Sequence, residues 1–125
     1  MSILNKLIGN AGTVKSEELT AELGELLVEG ETIDIGFRVM RDTFAFTNKR
    51  LIIVDKQGIT GKKIEYLTIG YKSISRFSIE TNGTFDLDAE LKIWISSEQN
   101  PSVVKKFNKK VNIYDVSKAL TTYTC

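Results

Sequence analysis

At Glu31 the spacing of apolar residues changes from helical to alternating, and it does not change back until Asn112. Ile33, Ile35, Phe37 and Val39 fall on one side of an extended chain, with Asp34, Arg38 and Met40 on the other, because successive strand side chains point to opposite faces. After a break at Arg41-Asp42, Phe44 and Phe46 share a face and Leu51–Val54 is continuously apolar. The glycine-containing turn Asp55–Gly61 precedes strands over Ile64–Ile69 and Ser73–Thr81. Asn82-Gly83 accepts the positive φ of a type I′ turn and predicts a hairpin. Beyond it Leu87, Ala89, Leu91, Ile93 and Ile95 alternate, and Val103–Asn108 is a last strand. About seven strands with no helix between them cannot be parallel, since parallel crossovers need a dozen or more residues. They must form an antiparallel sheet that curls or stacks to hide its edges.

Both ends read as helical. Leu19, Leu23, Leu26 and Leu27 form an apolar stripe behind Ser16, an expected N-cap, and Gly30 stops it. A shorter apolar piece, Ile3–Ile8, precedes this stripe. At the other end Asn112 is placed to cap a helix with Ile113, Val116, Leu120 and Tyr123 on one face. The expected organisation is a helical segment over 1–30 and a β-barrel over 31–125 closed by its C-terminal helix, together one structural unit of mainly β class.

The chain has 125 residues and no histidine, and its one cysteine is Cys125. Histidine is the commonest general base and metal ligand near neutral pH, so its absence removes the usual acid–base and metal chemistry. A lone cysteine excludes an intrachain disulfide and cysteine-based zinc sites. No glycine-rich phosphate loop follows a strand. The chain is expected to be non-catalytic, with no cofactor and no metal. The formal net charge of +1 advertises no nucleic-acid partner. It conceals an acidic start (Glu17, Glu18, Glu22, Glu25, Glu29 and Glu31) and a basic finish (Lys105, Lys106, Lys109, Lys110 and Lys118), which could meet within or between subunits. No signal peptide or membrane-spanning run is evident, so a cytoplasmic location is expected.

Two stretches carry a resemblance. Thr43-Phe-Ala-Phe-Thr-Asn-Lys-Arg-Leu-Ile-Ile-Val-Asp55 is followed by Gly58 and Lys62-Lys63. Tyr71-Lys-Ser-Ile-Ser-Arg-Phe-Ser78 is followed by Glu80-Thr-Asn-Gly83 and Asp86-Leu-Asp-Ala-Glu-Leu91. Together they resemble the bacterial pleckstrin-homology-like (PH-like) domain family, and the likeness extends over most of residues 30–123. It implies a seven-stranded, helix-capped PH-like barrel. It also implies a small stand-alone bacterial protein, in a family that includes ring-shaped homo-oligomers.

Several constellations compete for function. Asp86, Asp88 and Glu90 share one strand face and read as its solvated side. Lys49, Arg50, Lys62 and Lys63 would come together if their strands formed a hairpin, giving a candidate anion-binding site. Lys105-Lys106-Phe107 begins a basic run with an aromatic inside it, in which Phe107 reads as core. Trp94 is out of phase with Leu91, Ile93 and Ile95 and is expected to face outward. Leu67 and Ile69, opposite in parity to Ile64 and Tyr66, suggest a strand apolar on both sides. Trp94, Leu67 and Ile69 are therefore the candidate interface, since a small barrel has one interior and outer apolar residues need a cover. The favoured reading is a protein-interaction module that self-associates and serves a further, unidentified protein partner. The alternative is a peripheral binder of an anionic membrane surface or anionic ligand.

Overall fold

The computed structural model describes residues 13–39, 41–81, 89–107 and 113–125. The expected Ile3–Ile8 helix, the Asn82-Gly83 turn, Asp86, Asp88, Asn108–Lys110 and the Asn112 cap lie outside the described residues. Strand β1 (Thr13–Val14) leads into helix α1 (Ser16–Leu23) and a 3-10 turn, Gly24–Leu26. Strands β2 (Ile33–Val39), β3 (Asp42–Thr47), β4 (Arg50–Gln57) and β5 (Lys63–Gly70) follow. After a 3-10 turn at Tyr71–Ser73 come β6 (Ile74–Thr81), β7 (Ala89–Ile95), β8 (Val103–Phe107) and helix α2 (Ile113–Thr124).

The strands form two antiparallel sheets, β1-β2-β3-β4-β5 and β6-β7-β8. The mainly β class and the PH-like arrangement hold, with the expected seven strands as β2–β8 and β1 added. The barrel, however, is not closed: the sheets stack as a sandwich, and β5 and β8 each end a sheet. The main core lies between the sheets under α2. Phe37, Phe44, Phe46, Leu51 and Ile53 meet Leu91, Ile93 and Phe107 there, and Val116 and Leu120 close over them.

A second core lies on the outer face of the larger sheet. Leu19 and Leu23 of α1 pack on Val14, Ile33, Ala45, Ile52 and Val54. This explains the continuous run in β4: Leu51 and Ile53 face the sandwich, while Ile52 and Val54 face α1. The approach is close. A Cβ on Gly36 would lie 2.1 Å from Leu19 Cδ1, so the glycine makes room for the helix.

Three local expectations change. Ile33 does not share a face with Ile35, because a bulge between them shifts the register and turns Ile33 to the outer core. Ser16 is the first helical residue rather than the cap, a position taken by Lys15 without a side-chain bond. The leucine stripe breaks at Gly24, where the helix tightens to 3-10. Leu19 and Leu23 are buried, but Leu26 is turned out to solvent.

Candidate interaction surface

Arg50 opens β4 and sits beside the chain that leaves α1. Its Nε donates to Glu31 Oε2 (2.8 Å), and Nη2 donates to Glu31 Oε1 (3.0 Å) and to the Leu26 carbonyl (2.7 Å). Nη1 donates to Thr68 Oγ1 (2.9 Å). The Glu31 carboxylate also accepts from the Thr47 hydroxyl (2.7 Å) and the Val28 amide (3.1 Å). The Arg50 hydrogen bonds hold its carboxyl at about 2, well below the usual value, and outweigh the opposing effect of burial. Arg50 is thus consumed by a buried bidentate pair that ties the α1 connection to the sheet.

This corrects the expected basic cluster. In the β4–β5 ladder Arg50 faces Gly70 and Gln57 faces Lys63, so Arg50 and Lys63 stand at opposite ends of the hairpin. Seven strand steps separate them, or about 24 Å. Lys49 lies at the Arg50 end, while Lys62 and Lys63 lie at the tip, and the four do not form one site.

Other basic and aromatic groups are likewise built into the fold. Lys105 points from β8 into the sandwich and reaches Asp42 (2.9 Å) and Asp55 (3.0 Å) of the opposite sheet. Burial opposes its charge, but the two carboxylates outweigh that and raise its pKa, and the Lys105 hydrogen bond lowers that of Asp55. Its neighbour Phe107 is core, as expected. At the α2 end Tyr123 stacks on Tyr71 (4.8 Å between centroids) and on Phe46 (5.6 Å). The Tyr123 hydroxyl donates to Asp34, and the Tyr71 hydroxyl lies 2.6 Å from the Thr47 carbonyl. Burial, reinforced by the charge of Asp34, pushes both phenols above their ordinary value. Nor do the acidic and basic ends meet each other in the described contacts. Glu22 pairs with Arg38 at 2.9 Å, Glu31 with Arg50, and Lys105 with Asp42 and Asp55.

Of the three interface candidates, Trp94 does face outward, but it is half-buried. The Arg76 guanidinium stacks over its ring at 4.5 Å, and its Nε1–H donates to the Gln99 carbonyl (3.1 Å). The parity expected for Leu67 and Ile69 is reversed. They face Ile53 and Leu51 across the ladder and belong to the inner face. Ile69 is only 5% exposed in the main core, and Leu67 borders a groove between β5 and β8. The outward residues of β5 are Ile64 and Tyr66, paired with Lys56 and Val54.

That outer face of β5 is bare, because α1 covers β2, β3 and β4 and stops short of it. Tyr66 is 46% exposed and adjoins Leu26, which borders the same shallow depression with Ala21 and Leu23. Ile64 and Val28 are exposed as well. At the hairpin tip Ile59 is fully exposed between Gly58 and Gly61, whose φ angles of +80° and +69° form the turn. Arg41 Nη2 donates to the Gly58 carbonyl (2.7 Å), bringing a further cation beside Lys62 and Lys63. Sequence reasoning missed Ile64, Tyr66 and Ile59 as surface residues. The available signal was the glycine-bounded isoleucine in the Asp55–Gly61 turn.

Among the described residues no group of three or more acidic or cysteine side chains is placed to hold a metal ion, and no helix is long and apolar enough to cross a membrane.

Comparison with known proteins gives a consistent picture. The family model described as "Bacterial PH domain" matches residues 2–124. The uncharacterised protein YjqA of Bacillus subtilis (strain 168) is 54% identical over 120 residues, covering 96% of each chain. The solved pleckstrin homology domain from Shewanella amazonensis SB2B superposes with a TM-score of 0.84 at 44% identity, over 99% of both chains. A DUF1696-family protein with a pleckstrin-homology domain from Shewanella loihica PV-4 gives 0.77 at 46% identity, over 94% of this chain and 99% of that one.

Proposed function

The chain belongs to the bacterial PH domain family, and from that premise we propose that it is a non-catalytic interaction module whose first partner is another copy of itself. One observation carries this reading: Tyr66 and Leu26 adjoin each other in solvent, and Ile64 stands exposed on the same face of the edge strand as Tyr66. Neighbouring apolar side chains left in water favour association, and aromatic residues are enriched among those that contribute most binding energy. Tyr66 and Ile64 replace Leu67 and Ile69 as the centre of the interface. Trp94, on the other sheet, serves a second contact or the further protein partner. A contact that repeats head to tail closes as a ring, whereas one about a two-fold axis closes at a dimer. The module acts within the cytoplasm and needs no cofactor. Solution mass by light scattering tests it. A multiple of the 14.0 kDa chain is expected at micromolar concentration, and a monomer there overturns the reading.

A second reading has its own observation, the fully exposed Ile59 flanked by Arg41, Lys62 and Lys63. An apolar tip ringed by cations suits an anionic bilayer surface, where each lysine or arginine near the headgroups contributes about 1 kcal/mol. Co-sedimentation with phosphatidylserine vesicles at low salt, lost at high salt, supports this reading, and absence of pelleting at low salt excludes it.

A further inference from the structure

We propose that the groove between β5 and β8 is a binding site for one basic side chain, arginine above lysine, presented by a partner protein of different sequence. Its residues on β5 belong to the inner face, so the site is separate from the outer surface assigned to self-association and holds whether or not the chain associates.

The groove is the seam that the unclosed barrel leaves. β5 ends one sheet and β8 the other, and no described backbone hydrogen bond joins them. Ile53 and Leu67, opposite each other in the β4–β5 ladder, line it together with Val103 and Val104 of β8. Leu67 and Val104 are 36% and 48% exposed, so aliphatic surface is left in water at its mouth. Its volume is about 160 Å³. Pockets for drug-sized ligands start at about 300 Å³, whereas this one has the room of about five water molecules, enough for one extended side chain.

Charge identifies the side chain. Asp55 and Glu65 stand directly opposite each other in the β4–β5 ladder, and both border the groove. Opposed Cβ atoms of an antiparallel pair lie about 4.5–5.5 Å apart, and like charges so placed repel. Lys105 supplies an ammonium, but its Nζ donates to Asp42 (2.9 Å) and Asp55 (3.0 Å). No ion pair among the described residues includes Glu65. Three carboxylates therefore share one ammonium, and Glu65 is the one left uncompensated. The other like-charged pair, Glu80 opposite Glu90, differs: Lys92 lies 3.6 Å from Glu90, and the pair sits on the outer face of the smaller sheet. Pairing rules broken without compensation inside the chain mark functional positions. Aliphatic walls beside an unmatched carboxylate suit a long apolar stem with a cationic head. A guanidinium fits better than an ammonium, because its planar fork can serve Glu65 and Asp55 together. A bare divalent cation would leave Leu67 and Val104 in water.

Saturation-transfer NMR tests this on the whole chain in any oligomeric state, because it observes the ligand. The probe is Nα-acetyl-arginine amide at millimolar concentration, with Nα-acetyl-norleucine amide as its uncharged counterpart. Wild-type protein should transfer saturation to the arginine methylenes and little to norleucine. Glu65→Gln should weaken arginine binding about two- to fivefold, the range of one partly exposed ion pair. Glu65→Lys should abolish it, and Glu80→Gln should leave it unchanged. Glu65→Gln also relieves the repulsion from Asp55, so its thermal midpoint should equal or exceed that of the wild type, which separates lost binding from a lost fold. Equal transfer to the two probes, or Glu80→Gln acting like Glu65→Gln, overturns the site. A lower midpoint for Glu65→Gln overturns the repulsion from which the site is read. Displacement of the arginine probe by millimolar calcium chloride at constant ionic strength reassigns the groove to a metal ion. A fall in solution mass for Glu65→Lys shows that a second copy's cation fills it, and overturns the separate partner.

Discussion

The outer face of the larger sheet has a covered half and a bare half, and the two halves use the same residue types to opposite ends. Over β2, β3 and β4, apolar side chains lie under α1, and Arg50 is locked to Glu31 in a pair whose polar atoms all find partners within the chain. Over β5, Ile64 and Tyr66 are left to solvent, and Lys62 and Lys63 have no ion-pair partner among the described residues. Charge and apolar surface in the first half are structure. In the second they are available to something outside the chain. Composition does not separate the halves; what does is where α1 ends, at the 3-10 turn that begins with Gly24.

The largest effect should come from the covered half. Glu31→Ala leaves Arg50 without its buried partner and should cost about 3–5 kcal/mol of stability, read from urea denaturation. If it costs less than about 1 kcal/mol, the pair is not the seal described here. The same pair sets an acid limit. The folded Glu31 has its pKa depressed to about 2 from 4.5, so its contribution is complete above about pH 4.5 and is lost as pH falls toward 2. That contribution is on the order of 3 kcal/mol. Glu31→Gln should therefore be less stable than the wild type at neutral pH and lose less stability across that acid interval.

Next in size is Gly36→Ala, whose new methyl group must displace Leu19. It should destabilise by about 1–3 kcal/mol, whereas Gly24→Ala, with open space around it and a right-handed helical φ, should not.

The bare half should behave in the reverse way. Tyr66→Ser and Ile64→Ser should change monomer stability by no more than about 0.5 kcal/mol, as expected of surface positions, yet lower the solution mass toward that of one chain. A large loss of stability with unchanged mass would place Tyr66 in the covered class. Smallest of all, Ile59→Ser should leave stability and mass unaltered and reduce only vesicle pelleting, if the tip reaches a membrane.

Much of this architecture is legible in the residues. Alternation from Ile33 onward gave seven strands, and Leu51–Val54 read as a continuously apolar strand; the structure adds that it is buried on both faces, one against the sandwich and one against the leucines of α1. The bulge beside Asp34 is invisible to alternation, and it carries Ile33 to the other face. The candidate surface was harder to read because β5 is half polar on both sides: Lys63 and Glu65 share a face with Leu67, and Thr68 shares one with Ile64 and Tyr66. Only the pairing with Leu51 and Ile53 shows which face is inside. Likewise Lys49-Arg50 reads as a pair of surface cations until Glu31, distant in sequence, is brought to meet one of them.

The central claim is that another copy of the chain covers β5 in solution. Hydrogen–deuterium exchange tests it most directly when the wild type is followed over a range of protein concentrations. The account predicts that amides over Ile64–Leu67 become more protected as concentration rises, while those of Leu51–Val54, already inside the sheet, stay constant. Exchange over Ile64–Leu67 that is fast and independent of concentration would contradict it.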